Sequence, residues 1–449
     1  MEGHRVRLKG SLDDHTYEQR CIRQFLLPAF LPIIDANPYL GAHHGTYTPL
    51  LRRAKRIEAW SATGTFFVQA LGDTPDEMLS VQEIEFGNLR ITDPQKSPFP
   101  TSLKRLKLTL VTFGLSDSSD QKWFTRNLDQ LTELHLSPMH SISAKEALGY
   151  ISLMPSLCSF KSQKLLKWTS EHHQLEVLAA PKLQYLDMEE RTISHTAQFL
   201  SGLSFKHDFT ARIKLEADKN SDDSEVVSLL PTLAQHVRDS QHTIQRAVLD
   251  QDEEAYGGVL RISYFGQNTE ASSAFLRLEV HADMNILETQ LKHGLPAFPM
   301  GGLQELMIIA LRDDSLWWDG CFSHFNHLHK IIITDGQSSQ TFLNYLAADT
   351  LIARGLDDWS KLAFPALKKL TLGNVGEGDE ATYKIRCALG GRGKHGRKVE
   401  VFTLEGERIT DRAVGRIGKV VEQFIVKPYG WIRRVKICVG KSDPVRTVL

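Results

Sequence analysis

The sequence predicts an α/β solenoid, an irregular stack of parallel strands and helices interrupted by an antiparallel meander. Three observations predict it. The first is a recurring pattern. Leu103/Leu106/Leu108, Leu131/Leu134/Leu136, Leu183/Leu186/Met188, Leu303/Leu306/Ile308, Leu328/Ile331/Ile333 and Leu367/Leu370/Leu372 place apolar residues at positions 1, 4 and 6 of a unit. Val81/Ile84/Phe86 and Val399/Phe402/Leu404 fit with softer residues, and Leu157/Phe160 is a partial copy. The second is spacing. Units beginning at 81, 103, 131, 157 and 183 are 22, 28, 26 and 26 residues apart. A period of roughly 20–29 residues built on L-x-x-L-x-L is the sequence sign of a leucine-rich repeat. The third is what separates the strands: segments with helical spacing, which predicts parallel strands joined by crossovers. Each unit has one apolar face it cannot bury alone, so stacking neighbours makes a continuous core.

The elements follow in order. Residues 1–50 read as a helical or irregular N-terminal cap. A repeat-like array follows over 51–242, opening with a weak strand before Trp60. Ser143-Ala-Lys-Glu146 is a capping box, followed by the apolar stripe Ala147, Leu148, Ile151 and Leu153. Ser194 is placed to cap a helix through Phe199 and Leu200. Asp223 is placed to cap one through Val226, Val227, Leu230 and Leu233, which Pro231 would kink or shorten. At 243–282 the rhythm breaks. The runs 244–249, 259–265 and 275–280 begin only 15 and 16 residues apart, too close for helical crossovers, so they read as an antiparallel insertion with Gly257-Gly258 and 266–273 as turns. The array resumes over 283–439 with a C-terminal cap. Helices are expected at 284–293, 316–325, 340–354 and 379–389, the last stopped by Gly390-Gly391. A final helix is expected from Thr410-Asp411 through Val414, Ile417, Val420, Val421 and Phe424. Residues 390–398 read as a basic flexible loop, and 440–449 as a tail.

Composition narrows the function classes. With 41% apolar and 24% charged residues the chain is able to bury a core. A net charge of −1 gives no global pull toward nucleic acid or membrane. The five cysteines, Cys21, Cys158, Cys321, Cys387 and Cys438, are dispersed and odd in number, which argues against a disulfide framework or a cysteine zinc site. The N-terminus shows no signal peptide, and the run from Ile22 to Ile34 is broken by Arg23, Pro28 and Pro32. The expectation is a cytoplasmic or nuclear protein.

Side chains alternate along a strand, so positions 3 and 5 of each unit point away from the core. These are Glu83 and Glu85, Arg105 and Lys107, Glu133 and His135, Tyr185 and Asp187, Glu305 and Met307, Lys330 and Ile332, Lys369 and Thr371. They would line a concave surface, and their mixed charges with Tyr185, Met307 and Ile332 suit a protein partner. No cofactor and no metal is expected. His324, His327 and His329 straddle an expected helix–strand junction and would point apart. Gly440-Lys441-Ser442 resembles the end of a phosphate-binding loop but has Val435 where glycine is needed. Asp250, Asp252, Glu253 and Glu254 read as a solvated turn, and Trp317-Trp318 with Phe322 as core. No nucleophile motif appears, which argues against an enzyme.

Leu175-Glu-Val-Leu-Ala-Ala-Pro-Lys-Leu-Gln-Tyr-Leu186 and Phe364-Pro-Ala-Leu-Lys-Lys-Leu-Thr-Leu372 resemble the leucine-rich-repeat region of fungal, mushroom-type F-box-like proteins, over roughly residues 50–405. That resemblance implies a substrate receptor of a cullin–RING ubiquitin ligase, with a cullin-ligase adaptor as a second partner. The F-box itself, an L-P-x-E helix bundle, is not recognisable; Phe25-Leu-Leu-Pro-Ala-Phe-Leu-Pro is a loose echo of it. A scaffold or regulator without ubiquitin chemistry is the second reading, and an enzyme with a scattered site the third. The asparagine expected three residues after position 6 is replaced by Val111, Met139, Arg191 and Val375, so an irregular array is expected.

Overall fold

A tight turn feeds many of the strands. The backbone N–H of the position-1 residue donates to the carbonyl three residues earlier: Leu157 to Met154 (3.0 Å), Leu183 to Ala180 (3.1 Å) and Leu367 to Phe364 (3.1 Å). Pro155 and Pro365 occupy the second position of such turns, where their fixed φ is already suitable. This is the physical content of the A-P-x-L and F-P-x-L motifs.

The structure is a computed structural model. It describes residues 33–36, 54–60, 80–88, 90–91, 99–113, 128–137, 142–166, 177–180, 182–205, 209–216, 229–240, 242–254, 257–266, 274–283, 286–287, 290–311, 318, 322, 325–356, 362–376, 379–394, 396–406, 411–427, 435–438 and 445–448. The chain packs as two compact units, Met1–Glu216 and Ala217–Leu449. Both are α/β and built on mostly parallel strands.

In the first unit, β1 (Ile33–Ala36), β2 (Arg56–Trp60), β3 (Glu83–Gly87), β4 (Arg105–Thr109), β5 (Glu133–Ser137), β6 (Ser159–Gln163), β7 (Tyr185–Glu190) and β8 (Thr210–Glu216) pair in sequence order, all parallel. The register is unbroken. Ile57, Ile84, Leu106, Leu134, Phe160, Leu186 and Ala211 stand side by side, none more than 2% exposed. Position 4 is therefore the spine of the core. Among the described residues, two crossovers carry helices, α1 (Ala144–Ser152) and α2 (Ile193–Ser201). The capping box is formed: Glu146 N–H donates to Ser143 Oγ (3.2 Å), and Ser143 N–H donates to a Glu146 carboxylate oxygen (2.6 Å). The N-cap of α2 is Thr192, not Ser194, which lies inside the first turn.

The second unit repeats the arrangement. After α3 (Leu229–Asp239) come β9 (Arg246–Glu254), β10 (Gly257–Phe265) and β11 (Leu276–Ala282). Then follow β12 (Glu305–Ile308), β13 (Lys330–Ile333), α4 (Gly336–Leu356), β14 (Lys369–Gly373), α5 (Asp379–Lys394), β15 (Val401–Glu405), α6 (Asp411–Ile417) and β16 (Gln423–Lys427). Strands β9, β12, β13, β14, β15 and β16 form a parallel ladder. Its spine is Ala247, Leu306, Ile331, Leu370, Phe402 and Phe424, none more than 1% exposed. Among the described residues no helix is long and apolar enough to cross a membrane.

The meander pairs antiparallel, β9 with β10 and β10 with β11. Its first strand is more than an insertion. Ile244, Ala247 and Leu249 occupy positions 1, 4 and 6, and β9 pairs parallel with β12. The meander thus grows out of a repeat strand whose central alanine hid it in the sequence. Gly257 and Gly258 lie in β10, and Asp250 to Glu254 lie on β9 instead of a turn.

Several expectations are corrected at the C-terminal side. Gly390-Gly391 does not end α5, which continues to Lys394, so 390–394 is helix and not loop. A Cβ on Gly390 would stand 3.2 Å from Val420 Cγ1, so glycine here serves close packing. Arg392, read as a solvated cation, is 0% exposed. Its guanidinium donates to the carbonyls of Ala363 (2.9 Å) and Phe364 (2.7 Å), with Asp349 at 3.8 Å. The final helix stops at Ile417, because Val421/Phe424/Val426 is another 1-4-6 unit and forms β16. The segment 440–449 is no simple tail: β17 (Val435–Cys438) and β18 (Val445–Val448) pair antiparallel beyond β16. The helix expected at 284–293 is helical in its described part, α-helical at 286–287 and a π-helix over Gln290–Gly294. Pro231 lies within α3, third among its described residues. Asp223, Val226, Val227, His324, Trp317 and Gly440-Lys441-Ser442 lie outside the described residues. Trp318 and Phe322 are core, the former 4.4 Å from the Phe342 ring centroid.

A second recurring turn leaves the strands. The residue two after position 6 adopts positive φ at Asn88 (49°), Leu110 (53°), Lys164 (51°), Asn374 (53°) and Gly406 (81°). At four of these the N–H donates to the carbonyl of the neighbouring strand: Asn88 to Thr109, Lys164 to Glu189, Asn374 to Glu405 and Gly406 to Lys427. This backbone device does the work an asparagine ladder would otherwise do.

Candidate functional site

The ladder register turns positions 3 and 5 into two rows that cross the strands. In the first unit the position-3 row is Arg56, Glu83, Arg105, Glu133, Ser159, Tyr185 and Thr210. The position-5 row is Glu58, Glu85, Lys107, His135, Lys161, Asp187 and Arg212. All fourteen residues assigned outward from the sequence stand on this side of their strands, half-buried or exposed: Glu83, Glu85, Arg105, Lys107, Glu133, His135, Tyr185, Asp187, Glu305, Met307, Lys330, Ile332, Lys369 and Thr371.

The charges of the first unit pair with one another. Arg105 reaches Glu83 (3.1 Å) and Glu133 (3.0 Å), and Lys107 reaches Glu85 (2.6 Å). Arg56 contacts Glu58, Glu85 (3.2 Å) and Glu83 (3.7 Å). Adjacent parallel strands bring equivalent residues together, so alternating signs in sequence become a network in space. Each exposed pair contributes little to stability, but the network holds long side chains in fixed positions. It borders a concavity of about 230 Å³ whose floor is Ile84, Leu106 and Leu134 and whose walls include Arg105, Glu133, His135 and Lys161. Burial first, then the cations Lys107 and Lys161, holds the His135 pKa below its usual value, so the imidazole is neutral. Further along, the Lys161 ammonium lies 5.3 Å from the Tyr185 ring centroid, and Tyr185 OH is 3.4 Å from Asp187.

The second unit differs. Its position-5 row is Val248, Met307, Ile332, Thr371, Thr403 and Ile425. Its position-3 row opens with Arg246, Glu305, Lys330 and Lys369, where Glu305 accepts both Arg246 (3.3 Å) and Lys330 (3.0 Å).

Sequence reasoning missed Arg56, Glu58, Ser159, Lys161 and Arg212. Ala54/Ile57/Ala59 is the unit that carries the first two, but its small residues weaken the pattern. Leu157/Phe160/Ser162 carries the next two and breaks it with a buried serine at position 6. Among the described residues no group of three or more His, Cys, Asp or Glu side chains is placed to hold a metal.

No family model matches the chain, and no curated protein matches it. Among solved structures it is similar to a chain in the crystal structure of the yeast Rad7–Elc1 complex, with a TM-score of 0.24 and 15% identity over 78% of this chain and 84% of that one. A TM-score that low supports neither a fold nor a function.

Proposed function

We propose that this chain is a leucine-rich-repeat-like protein-interaction module whose partner docks on the strand face. The observation that carries the reading is the pair of in-register rows within each unit, which present mixed charges and Tyr185 in the first and Met307 and Ile332 in the second. Aromatic, arginine and methionine side chains on a fixed surface are what protein interfaces favour. We read the role as binding, a reading supported by the mutual pairing of Arg56, Glu83, Glu85, Arg105, Lys107 and Glu133 beside the concavity. The specific form we favour is a substrate receptor of an F-box-type cullin–RING ligase, on the strength of the A-P-x-L-x-x-L-x-L and F-P-x-L-x-x-L-x-L units. A scaffold or regulator outside ubiquitin chemistry is the second reading. Neither needs a cofactor, a membrane or nucleic acid, and both place the protein in the cytoplasm or nucleus.

Two measurements test this. Co-purification of a stoichiometric cullin-ligase adaptor separates the two forms; its absence at saturating adaptor removes the ligase form. A partner captured by the full chain is then measured against Arg105→Ala/Tyr185→Ala/Met307→Ala. The expected result is a loss of about 2 kcal/mol or more in affinity with little change in melting temperature. Unchanged affinity in a folded triple variant refutes docking on this face.

A further inference from the structure

We infer that the position-5 row of the second unit is a seat for an amphipathic helix of a partner protein, with acidic residues along one flank. The inference rests on the reading that the strand face binds protein, and it assigns the class of partner. Val248, Met307, Ile332 and Thr371 are half-buried side chains on successive neighbouring strands, and past the buried Thr403 the half-buried Ile425 continues the row. Ile309, two residues beyond Met307, widens the stripe and is 39% exposed. Among the described residues of the first unit, the position-5 row is ionic apart from His135.

Spacing selects the secondary structure of the occupant. Adjacent strands lie about 4.8 Å apart, so an apolar side chain recurs at that interval along the stripe. A helix laid across the strands presents one side chain per turn about every 5.4 Å, a close match. An extended segment presents same-side residues about every 6.6 Å and falls out of step after two strands. The ladder from β9 to β16 spans about 24 Å in the pairing direction, the length of a helix of about 16 residues.

Charge selects the flank. The row beside the stripe holds Arg246, Glu305, Lys330 and Lys369. The single carboxylate of Glu305 is shared by Arg246 and Lys330, and Lys369 is exposed with no carboxylate paired to it among the described residues. This edge is therefore net positive, and an acidic helix flank complements it.

The test uses the full chain and fluorescein-labelled 16-residue peptides read by anisotropy at low salt. Each carries leucine at i, i+4, i+7 and i+11. One has glutamates on the flanking positions, one lysines, and one glutamates with two central prolines. The glutamate helix should bind at least about tenfold more tightly than either other peptide. Ile332→Asp should weaken it about tenfold, and Lys369→Glu should reduce the glutamate-over-lysine preference to about twofold. Ile332→Thr with Met307→Gln keeps β-branching and side-chain length should Ile332→Asp not fold. Equal binding of the three peptides, no binding tighter than about 1 mM, or unchanged binding in the Ile332 variants overturns the proposal. A wild-type dimer by sedimentation that Ile332→Asp converts to monomer also overturns it, because a second copy would then cover the stripe. If a captured partner is lost with Arg105→Ala/Tyr185→Ala but indifferent to Ile332→Asp, the interaction reading stands and the helix seat falls. If neither variant affects it, the interaction reading itself fails.

Discussion

At the scale of residues, the turns show how this chain manages without an asparagine ladder. Glu190 is 1% exposed and bridges two repeats. One carboxylate oxygen accepts the N–H groups of Leu165 and Leu166 (both 3.0 Å), and the other accepts the Ser162 hydroxyl (2.7 Å). Burial raises its pKa, with those three hydrogen bonds opposing the rise. A carboxylate whose folded pKa lies above its unfolded value contributes most below the unfolded pKa, and that contribution is lost as pH rises through the folded pKa. Glu190→Gln should therefore flatten the pH dependence of melting while keeping an acceptor for both amides. Glu190→Ala removes the acceptor of three buried donors, the Leu165 and Leu166 N–H groups and the Ser162 hydroxyl, and should cost about 2–5 kcal/mol by urea denaturation. Leu110 presents the opposite case. It holds φ at 53° with its side chain 52% exposed, so its left-handed backbone is a cost with no burial to offset it. Leu110→Gly should stabilise by about 0.5–1 kcal/mol, and any loss of stability would show that the side chain packs.

At the scale of elements, the position-4 spine and the end of α5 decide whether the repeats stack. Leu134 and Leu370 are each 1% exposed and sit between identical positions of two neighbouring strands. Leu→Ala at either should cost about 2–5 kcal/mol, whereas a loss under about 0.5 kcal/mol at both would contradict the register. Arg392 ties α5 to the turn that feeds β14, and Phe364 in that turn has φ of 51°. Burial lowers its pKa to about 10, with Asp349 opposing, so it remains charged at neutral pH. Arg392→Lys cannot span both carbonyls with a planar fork and should destabilise clearly, and Arg392→Ala should cost about 3–5 kcal/mol by removing the donor of two buried carbonyls and leaving a cavity. His135 tests the electrostatics of the strand face. Its folded pKa is depressed, so its contribution is present above the unfolded value and lost as pH falls through the folded one. Acidifying from about pH 7.5 to about pH 5 should lower the melting temperature of the wild type more than that of His135→Gln.

At the scale of the whole molecule, charge is balanced almost to zero, −1 with a pI near 7.0. The first unit spends its surface charges on one another, so little net field remains to keep molecules apart. Self-association by light scattering should be strongest near about pH 7 and fall by about pH 8.5, where net charge accumulates. Within each unit the strand face carries a different chemistry: ionic and self-paired in the first, apolar with a basic edge in the second.

The repeat was legible because burial at positions 1, 4 and 6 is imposed by strand alternation, and leucine and isoleucine satisfy it in most units. From that alone followed the parallel strands and the outward direction of Arg105, Tyr185 and Met307. Units built on Ala54/Ile57/Ala59, Ile244/Ala247/Leu249 and Val421/Phe424/Val426 were illegible or misread, because small or β-branched residues there also suit helices and turns. Only the tertiary structure turned Gly390-Gly391-Arg392 from a basic loop into a buried helix end. A guanidinium's place depends on which carbonyls lie opposite it, here those of Ala363 and Phe364, 28 or more residues away in the chain. The pairing of Glu83, Arg105 and Glu133 was equally invisible. Each is an ordinary surface charge in sequence, and only strand register, which sets residues 22 and 28 positions apart side by side, makes them a network.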